Sequence, residues 1–275
     1  MSGLNLEGFN LSDRDLDFVI GEAAPQFKSK ERLKQLIRDD SDFRKALVGD
    51  EKVFRKVMSD EDIFLKISPS LFFEILLRRT LKELGKASHT VERVAGEQIP
   101  VFDAKAVVSL LNKEEVLDYL TDMLASFTRT ENYVIPVRVR KGVWRKIRFS
   151  DMDVDALSRL CEVTDEEQRL SLYKRIADVC LFILGIFPEY ALPDYSYPPL
   201  VEVRSVIRKG RKTVQEYEEE GRKFYKLAAE HQSAKALELS QVFWLLHENF
   251  NVAKKPLNFI SQHYIYSKKR QLFAA

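Results

Sequence analysis

The stretch from Thr164 to Phe187 most constrains the fold, because it carries the widest apolar face in the chain. Its apolar side chains recur every three or four residues, which is the period of one face of an α-helix. The members of this face are Leu170, Tyr173, Ile176, Val179, Cys180, Ile183 and Phe187. Pro188 follows, and proline cannot continue a helix because it lacks a backbone N–H. We therefore predict a long buried helix, N-capped by Thr164, at the centre of the second half of the chain.

Similar helical spacing recurs through most of the sequence. Ten glycines and nine prolines in 275 residues are few, which favours long regular elements over an all-β fold with many turns. The proportions of hydrophobic (45%) and charged (31%) residues are those of a folded soluble protein. The strongest apolar run, Val179 to Phe187, is shorter than the ~20 residues that span a bilayer. We predict a mainly α, multi-helical globular protein with one or two small antiparallel β-hairpins inserted between helices.

The sequence divides into three segments. Residues 1–26 hold five acidic residues and a single arginine, and we predict an irregular acidic lead-in there. Residues 27–150 are predicted to form an N-terminal helical part, and residues 151–275 a C-terminal helical bundle with a Pro/Tyr-rich loop at 188–199. The hairpins are expected near residues 90–102 and 133–149. Because the loop at 188–199 is the only linker-like stretch and lies inside the second part, we expect the two parts to share one core.

The cysteines and the N-terminus indicate a cellular location. Cys161 and Cys180 both lie in apolar helical patterns, so a disulfide framework is not indicated and a reducing compartment is expected. The N-terminus lacks the basic region and apolar core of a signal peptide. We therefore expect a cytoplasmic protein that does not bind membranes.

Residues 133–149 depart from the helical pattern. They alternate like a β-hairpin and carry six Arg or Lys residues without any Asp or Glu. A three-residue loop at 140–142, with Gly142 in the left-handed conformation, gives one nearly apolar face. The resulting cross-strand pairs are Val139 with Val143, Val137 with Arg145, Ile135 with Ile147, and Tyr133 with Phe149. A two-residue turn at 141–142 would mix apolar and charged residues on both faces, so we predict the longer loop.

The opposite face of this hairpin is the candidate contact surface. The residues predicted to bind a partner are Arg138, Arg140, Lys141, Trp144, Lys146 and Arg148. Basic side chains around an exposed tryptophan suit a phosphate backbone and a stacking base. They also suit an acidic protein surface. The acidic N-terminal segment of this chain is one such surface, and it would dock on the hairpin within the molecule. The alternative is a solvated face on which Lys and Arg stems cover Trp144.

A second basic cluster contains Arg204, Arg208, Lys209, Arg211 and Lys212. A phosphate-binding loop needs Gly-x-x-x-x-Gly-Lys-Ser/Thr, and here Ser205 stands at the first glycine position and Arg211 at the lysine position. We reject a phosphate-binding loop. The sequence leaves open whether this cluster and the hairpin form one surface.

Four acidic residues suggest a calcium loop at first sight. Asp151, Asp153, Asp155 and Glu162 match its ligand positions, but Ala156 stands where the sharp turn requires glycine. Carboxylates at the start of a helix are also favoured by capping and by the helix dipole. We therefore predict capping residues and no metal site.

The histidines raise the possibility of an enzyme. His231, His247 and His263 lie on successive predicted helices, without the Glu-x-x-His or His-Glu-x-x-His spacing of known metal sites. His89 follows Arg78 and Arg79, and a histidine near an arginine can act as a general acid or base in RNA cleavage. The chain has no Gly-x-Ser-x-Gly and no Gly-x-Gly-x-x-Gly.

These observations favour a non-enzymatic binding or regulatory protein with no catalytic residues, no metal and no cofactor. Its basic hairpin is expected to contact an acidic partner, which we expect to be a protein, with nucleic acid as the other possibility. The alternative is a hydrolase or nuclease that uses His89 or a C-terminal histidine cluster. Converging histidines and carboxylates in a cleft would favour the enzyme, whereas dispersed histidines would favour binding.

Overall fold

The computed structural model describes residues 11–27, 29–94, 97–129, 132–140, 143–192 and 212–273. Side chains are described for these residues except 92–94, 97–98, 132–140, 143–149 and 270–271. The fold is mainly α, with two separate two-stranded antiparallel hairpins inserted between helices. The predicted fold class is therefore confirmed. Within the described ranges, no helix is both long enough and apolar enough to cross a membrane.

The chain groups into two compact units by the closeness of its Cα atoms. The first unit comprises residues 1–126 with 262–264, and the second comprises residues 127–261 with 265–275. The predicted boundary near residue 150 and the predicted shared core stay predictions.

The first unit is built around one buried helix. Its elements are α1 (Asp13–Ala23), α2 (Lys30–Asp39), α3 (Ser41–Val48), α4 (Glu51–Ser59), α5 (Ile63–Lys66), α6 (Pro69–Leu84), β1 (Thr90–Val94), β2 (Glu97–Val101), α7 (Ala104–Leu111) and α8 (Glu114–Ser126). Helix α6 begins with Ser68 as N-cap and Pro69 in its first turn, as expected for a helix start. Neighbouring residues such as Phe72 and Phe73 are both buried, so α6 is covered on several sides.

The prediction of an irregular lead-in at residues 1–26 is wrong for residues 13–23, which form α1. Ser12 and Asp15 make a capping box, in which the Ser12 hydroxyl accepts from the Asp15 amide at 3.2 Å. In the same capping box, Asp15 Oδ2 accepts from the Ser12 amide, and the other carboxylate oxygen, Oδ1, accepts from the Ser68 amide at 2.7 Å. The acidic residues that suggested a solvated segment therefore include the group that starts a helix.

The second unit contains the other hairpin and the remaining helices. Its elements are β3 (Asn132–Arg140), β4 (Val143–Ser150), α9 (Val154–Val163), α10 (Leu170–Ile186), α11 (Val214–Glu230), α12 (Gln232–Ala236), α13 (Ser240–Glu248), α14 (Phe250–His263, apart from its last two residues) and α15 (Lys269–Leu272). Two short 3₁₀ turns lie at Glu166–Gln168 and Pro188–Ala191.

Helix α10 is the predicted long buried helix. Every residue predicted for its apolar face is buried, from Leu170 to Phe187. Its start was predicted wrongly, because Thr164 ends α9 instead of capping α10. The Thr164 hydroxyl donates to the Leu160 carbonyl at 2.7 Å, and a 3₁₀ turn separates the two helices.

Helices α10 and α11 approach closely at Gly221. A Cβ atom at this position would lie 3.0 Å from the Cys180 Cβ and nearer still to the Phe250 ring. One turn along, the buried Asp178 carboxylate accepts from the Tyr225 hydroxyl at 2.8 Å and from the Lys174 ammonium at 2.7 Å. The two helices are therefore joined by tight apolar packing and by a buried polar contact.

We expect Gly221→Ala to lower the free energy of unfolding by about 1–3 kcal/mol, because the added methyl group overpacks the core. Gly21→Ala is the matched control, since Gly21 lies inside α1 with no atom within 4 Å of the new Cβ. It should raise the stability by about 0.5–1 kcal/mol through helix propensity. Urea unfolding followed by circular dichroism measures both. Equal gains from the two substitutions would contradict the close approach at Gly221.

Candidate functional site: the basic hairpin

The register of the basic hairpin confirms most of the predicted pairs. Tyr133 lies opposite Phe149, Ile135 opposite Ile147, and Val137 opposite Arg145. Near the turn, Arg138 pairs with Trp144 and Arg140 pairs with Val143, with a register shift between positions 138 and 140.

The predicted pairing of Val139 with Val143 is therefore wrong, as is the three-residue loop. Arg140 is still paired with Val143, and Val139 is the extra residue of a β-bulge in β3. From Arg138 back to Asn132, on the side of the bulge away from the turn, the strands pair in the predicted register. The conformation of Gly142 lies outside the described residues.

The hairpin backbone forms a two-stranded ribbon. At ~3.3 Å per residue, its longer strand extends about 30 Å. Within the described part of the chain, the two strands lie chiefly against each other, and β4 also approaches α9. The side chains predicted to bind the partner, those of Arg138, Arg140, Lys141, Trp144, Lys146 and Arg148, lie outside the described residues. Their exposure stays a prediction.

One arginine of α10 contacts a residue that precedes the ribbon in sequence and a residue that follows it. Phe127 precedes β3, and the Arg175 guanidinium carbon lies 3.9 Å from the centroid of its ring. Asp151 follows β4, and Arg175 donates from Nη2 to its carboxylate and from Nε to its backbone carbonyl at 3.2 Å. The Phe127 ring also stacks on Phe182 of α10, with centroids 4.0 Å apart. Arg175 therefore ties the chain directly after β4 to the central helix of the second unit, and it also packs on Phe127, five residues before β3.

The aspartates of the apparent calcium loop are occupied by protein partners. The buried Asp151 pairs with Arg175, and the Asp153 side chain accepts from the Ala156 amide at 2.9 Å as the N-cap of α9. Asp155 pairs with Lys212 at 2.9 Å. These contacts agree with capping and charge pairing and give no support to a calcium loop.

Lys212 is the described member of the second basic cluster. Its ammonium lies 2.9 Å from Asp155 and 2.8 Å from Glu220. Its charge is therefore balanced within the second unit. Arg204, Arg208, Lys209 and Arg211 lie outside the described residues, so a surface shared with the hairpin stays open.

Two C-terminal histidines have structural partners. The His231 Nδ1 accepts from the Ser233 amide at 3.1 Å, and its Nε2 lies 2.8 Å from the Glu166 carbonyl. The His247 Nδ1 lies 2.8 Å from the Arg222 carbonyl. Across the described ranges, no group of three or more His, Cys, Asp or Glu residues is arranged to hold a metal ion. The structure does not assemble these histidines into a cluster.

His89 lies apart from the arginines that precede it in sequence. Its Nδ1 is 3.1 Å from the Ser88 hydroxyl, and its ring is 5.9 Å from that of Phe102. Arg79 instead bonds Glu51, and it donates to Glu83 at 2.6 Å. The described contacts thus give His89 no arginine with which to act on a phosphate.

Sequence reasoning missed a buried charge cluster in the first unit. Glu74 is fully buried and accepts from Arg44 at 2.8 Å and from Arg78 at 2.9 Å. Arg78 also donates to Glu114 at 2.6 Å. The available signal was the four-residue spacing of Glu74 and Arg78 within the mostly apolar first part of α6, which places them on one face.

Asp118 borders this cluster from α8. Burial, together with the negative charges of Glu74 and Glu114, raises the pKa of its carboxyl group to about 6, against the opposing effect of Arg44 and Arg78. The folded state therefore holds a proton that the unfolded chain releases near pH 4. Because the folded state binds more protons between about pH 4 and pH 6, stability falls as the pH rises through this window.

We expect Asp118→Asn to raise the free energy of unfolding near pH 7 and to have much less effect near pH 4. The gain should grow between these limits by on the order of 1 kcal/mol per pH unit. Glu115→Gln, which removes a carboxylate at an exposed position on the same helix, is the matched control. Urea unfolding across this pH range measures the difference from the unsubstituted protein. A gain independent of pH would contradict the raised pKa.

Comparisons with known proteins add no further constraint on this site. No protein-family model, no curated protein and no solved structure matches the chain. The hairpin and its attachment to α10 are therefore the basis on which a function can be argued.

Proposed function

We propose that this protein is a non-enzymatic binding or regulatory protein of the cytoplasm, and that its basic hairpin contacts an acidic partner. The observation that carries the proposal is the attachment of the hairpin to α10 through Arg175, which bonds Asp151 after β4 and packs on Phe127 before β3. A ribbon whose backbone is held at its base before binding loses less conformational entropy when a partner binds.

The charge distribution supports the same proposal. The hairpin sequence has six basic residues and no acidic one, and its strands lie mainly against each other in the described part of the chain. Such a ribbon attracts an acidic surface over a distance and speeds encounter. An acidic protein is the partner we favour, and a nucleic acid is the other acidic class that the test includes.

Two further observations bear on the class and location of the protein. The partners of His89, His231 and His247 are a neighbouring hydroxyl and backbone groups, which favours binding over hydrolysis. Cys161 and Cys180 are both free and buried, and burial raises the pKa of the Cys161 thiol to about 11. Unreactive buried thiols are compatible with a reducing compartment, which supports the cytoplasm.

The first test replaces Arg138, Lys146 and Arg148 together by alanine. If the hairpin binds along a nucleic-acid backbone, each substitution leaves one phosphate without its neutralising side chain. The slope of log K against log salt should then flatten by up to about three units. If it contacts an acidic protein, association with that protein should slow instead. The unsubstituted protein is titrated with labelled single-stranded DNA, single-stranded RNA and duplex DNA at two salt concentrations.

The matched control replaces three exposed lysines outside the hairpin, Lys30, Lys52 and Lys235, by alanine. It changes the net charge by the same amount while leaving the hairpin intact. Equal losses in the two triple variants would assign binding to net charge and contradict a specific hairpin surface. Failure of the unsubstituted protein to bind any nucleic acid at low salt would eliminate nucleic acid and leave the protein partner to be tested.

Trp144 distinguishes single strands from duplexes. If a base stacks on its ring, Trp144→Ala should weaken binding to single strands by ~1–3 kcal/mol and affect duplex binding much less. Trp144→Phe keeps an aromatic face and should restore part of the affinity. Fluorescence anisotropy with both classes of labelled oligonucleotide measures the difference. Equal losses on both would contradict stacking.

A further inference from the structure

The ladder of the basic hairpin determines which backbone groups of β3 and β4 point outward. Pro136 pairs with Lys146 across the ladder. A hydrogen-bonded pair needs an N–H from each residue, and proline has none, so this pair is of the non-hydrogen-bonded kind. Bonded and non-bonded pairs alternate in an antiparallel ladder, so the pair of Val134 with Arg148 is also non-bonded. In a non-bonded pair, the backbone groups of both residues point to the outer edges of the ribbon.

The two outer edges of this ribbon differ as templates for a further strand. On the edge of β3, Pro136 lacks a donor at an outward position, and the β-bulge at Val139 interrupts the regular spacing. On the edge of β4, Trp144, Lys146 and Arg148 each keep an outward N–H and C=O group. In the described part of the chain, this sheet contains β3 and β4 alone. An unpaired edge with its donors intact is a template for strand addition.

All the charged residues within this ribbon are basic. Residues 132–150 hold six Arg or Lys residues and no Asp or Glu. Four further residues on each side add one arginine and three acidic residues, Arg129, Glu131, Asp151 and Asp153. Asp151 bonds Arg175 and Asp153 caps α9 at the base of the ribbon. The six basic residues all lie between positions 138 and 148, which also contain the outward backbone groups of β4.

This concentration of positive charge decides which strand the β4 edge can accept. Basic residues on an edge strand repel a second copy of the same edge, which is one way in which proteins prevent edge-to-edge association. A strand that alternates carboxylates with β-branched residues has the complementary charge and a high tendency to be extended. A nucleic acid has the complementary charge as well, but it lacks the peptide N–H and C=O groups that pair with an edge. The edge therefore favours an acidic protein segment.

We propose that the outer edge of β4 binds an extended acidic segment of a partner protein by strand addition. Backbone hydrogen bonds to Trp144, Lys146 and Arg148 supply affinity, and the alternate side chains of the segment supply specificity. This inference rests on the proposed function, because it names the partner class and the binding mode of the same hairpin. It goes beyond that function by assigning the contact to the β4 backbone as well as to the basic residues.

The test measures binding of the full chain to a short labelled peptide of alternating valine and glutamate, by fluorescence anisotropy at low salt. Lys146→Pro removes both the charge and the outward N–H at this position, whereas Lys146→Ala removes the charge alone. Neither removes a hydrogen bond between β3 and β4, because Lys146 lies in a non-bonded pair. Lys146→Pro should bind about five- to tenfold more weakly than Lys146→Ala, the equivalent of one lost hydrogen bond.

Val134→Pro is the matched control for the effect of a proline on the hairpin itself. Val134 also lies in a non-bonded pair, but its N–H points to the outer edge of β3. This variant should therefore bind the peptide as the unsubstituted protein does. A peptide with glutamine in place of glutamate controls for charge, and it should bind more weakly than the acidic one.

Hydrogen exchange provides a second readout on the unsubstituted protein. Peptide binding should slow exchange of the Trp144, Lys146 and Arg148 amides and leave that of the Val134 amide unchanged. Equal binding by Lys146→Pro and Lys146→Ala, or slower exchange confined to β3, would overturn strand addition. The proposed function would still stand in that case if the triple substitution of Arg138, Lys146 and Arg148 weakened peptide binding. Binding of nucleic acid without any binding of the acidic peptide would also overturn strand addition.

Discussion

The close contact of α10 with α11 is the constraint on which the second unit depends. Two helices can approach this closely only where a residue without a side chain faces the neighbour, and Gly221 supplies that position against Cys180 and Phe250. At this separation, Tyr225 reaches the Asp178 carboxylate, so a polar group in the core is satisfied by its partner helix. Packing and hydrogen bonding therefore depend on the same interhelical distance.

Both units bury charges, and both balance them with nearby partners. Asp178 is satisfied by Tyr225 and Lys174, and Glu74 by Arg44 and Arg78. Taking such groups out of water is costly unless their hydrogen bonds and charges are matched. These contacts favour the observed faces of the helices, because Tyr225 and Arg44 come from neighbouring helices and another orientation would remove one hydrogen bond from each buried carboxylate. Apolar periodicity alone does not carry that information.

The sequence predicts best what depends on neighbouring residues. The buried face of α10 follows directly from spacing at three and four residues, and the cap at Asp153 follows from its place before a helix. The predicted start of α10 was wrong because a threonine hydroxyl can form a hydrogen bond either at the end of one helix or at the beginning of the next. Thr164 bonds backwards to Leu160, and tertiary packing makes that choice.

The sequence predicts that the candidate site is a charged ribbon, but it does not predict the β-bulge or the contact with Arg175. Alternation and charge identify residues 133–149, whereas the bulge at Val139 depends on which turn closes the loop. Arg175 could not be assigned from sequence, because 24 positions separate it from Asp151 and nothing local marks them as partners. Asp15 and Ser68 are a similar case, since a contact over 53 positions ties the start of α1 to the start of α6.

The attachment of the ribbon at Arg175 also has a thermodynamic consequence. Because the ends of the hairpin and the core of α10 share this side chain, the ordered ribbon and the folded helix favour each other. A ligand that binds only the ordered ribbon stabilises the whole folded unit, by ~2.7 kcal/mol when its concentration is a hundred times its Kd. By the same linkage, a substitution that destabilises the core around α10 would loosen the ribbon. It would weaken ligand binding without changing any residue that contacts the ligand. If a ligand binds this ribbon, the melting temperature of the second unit would report how much of the ribbon is occupied.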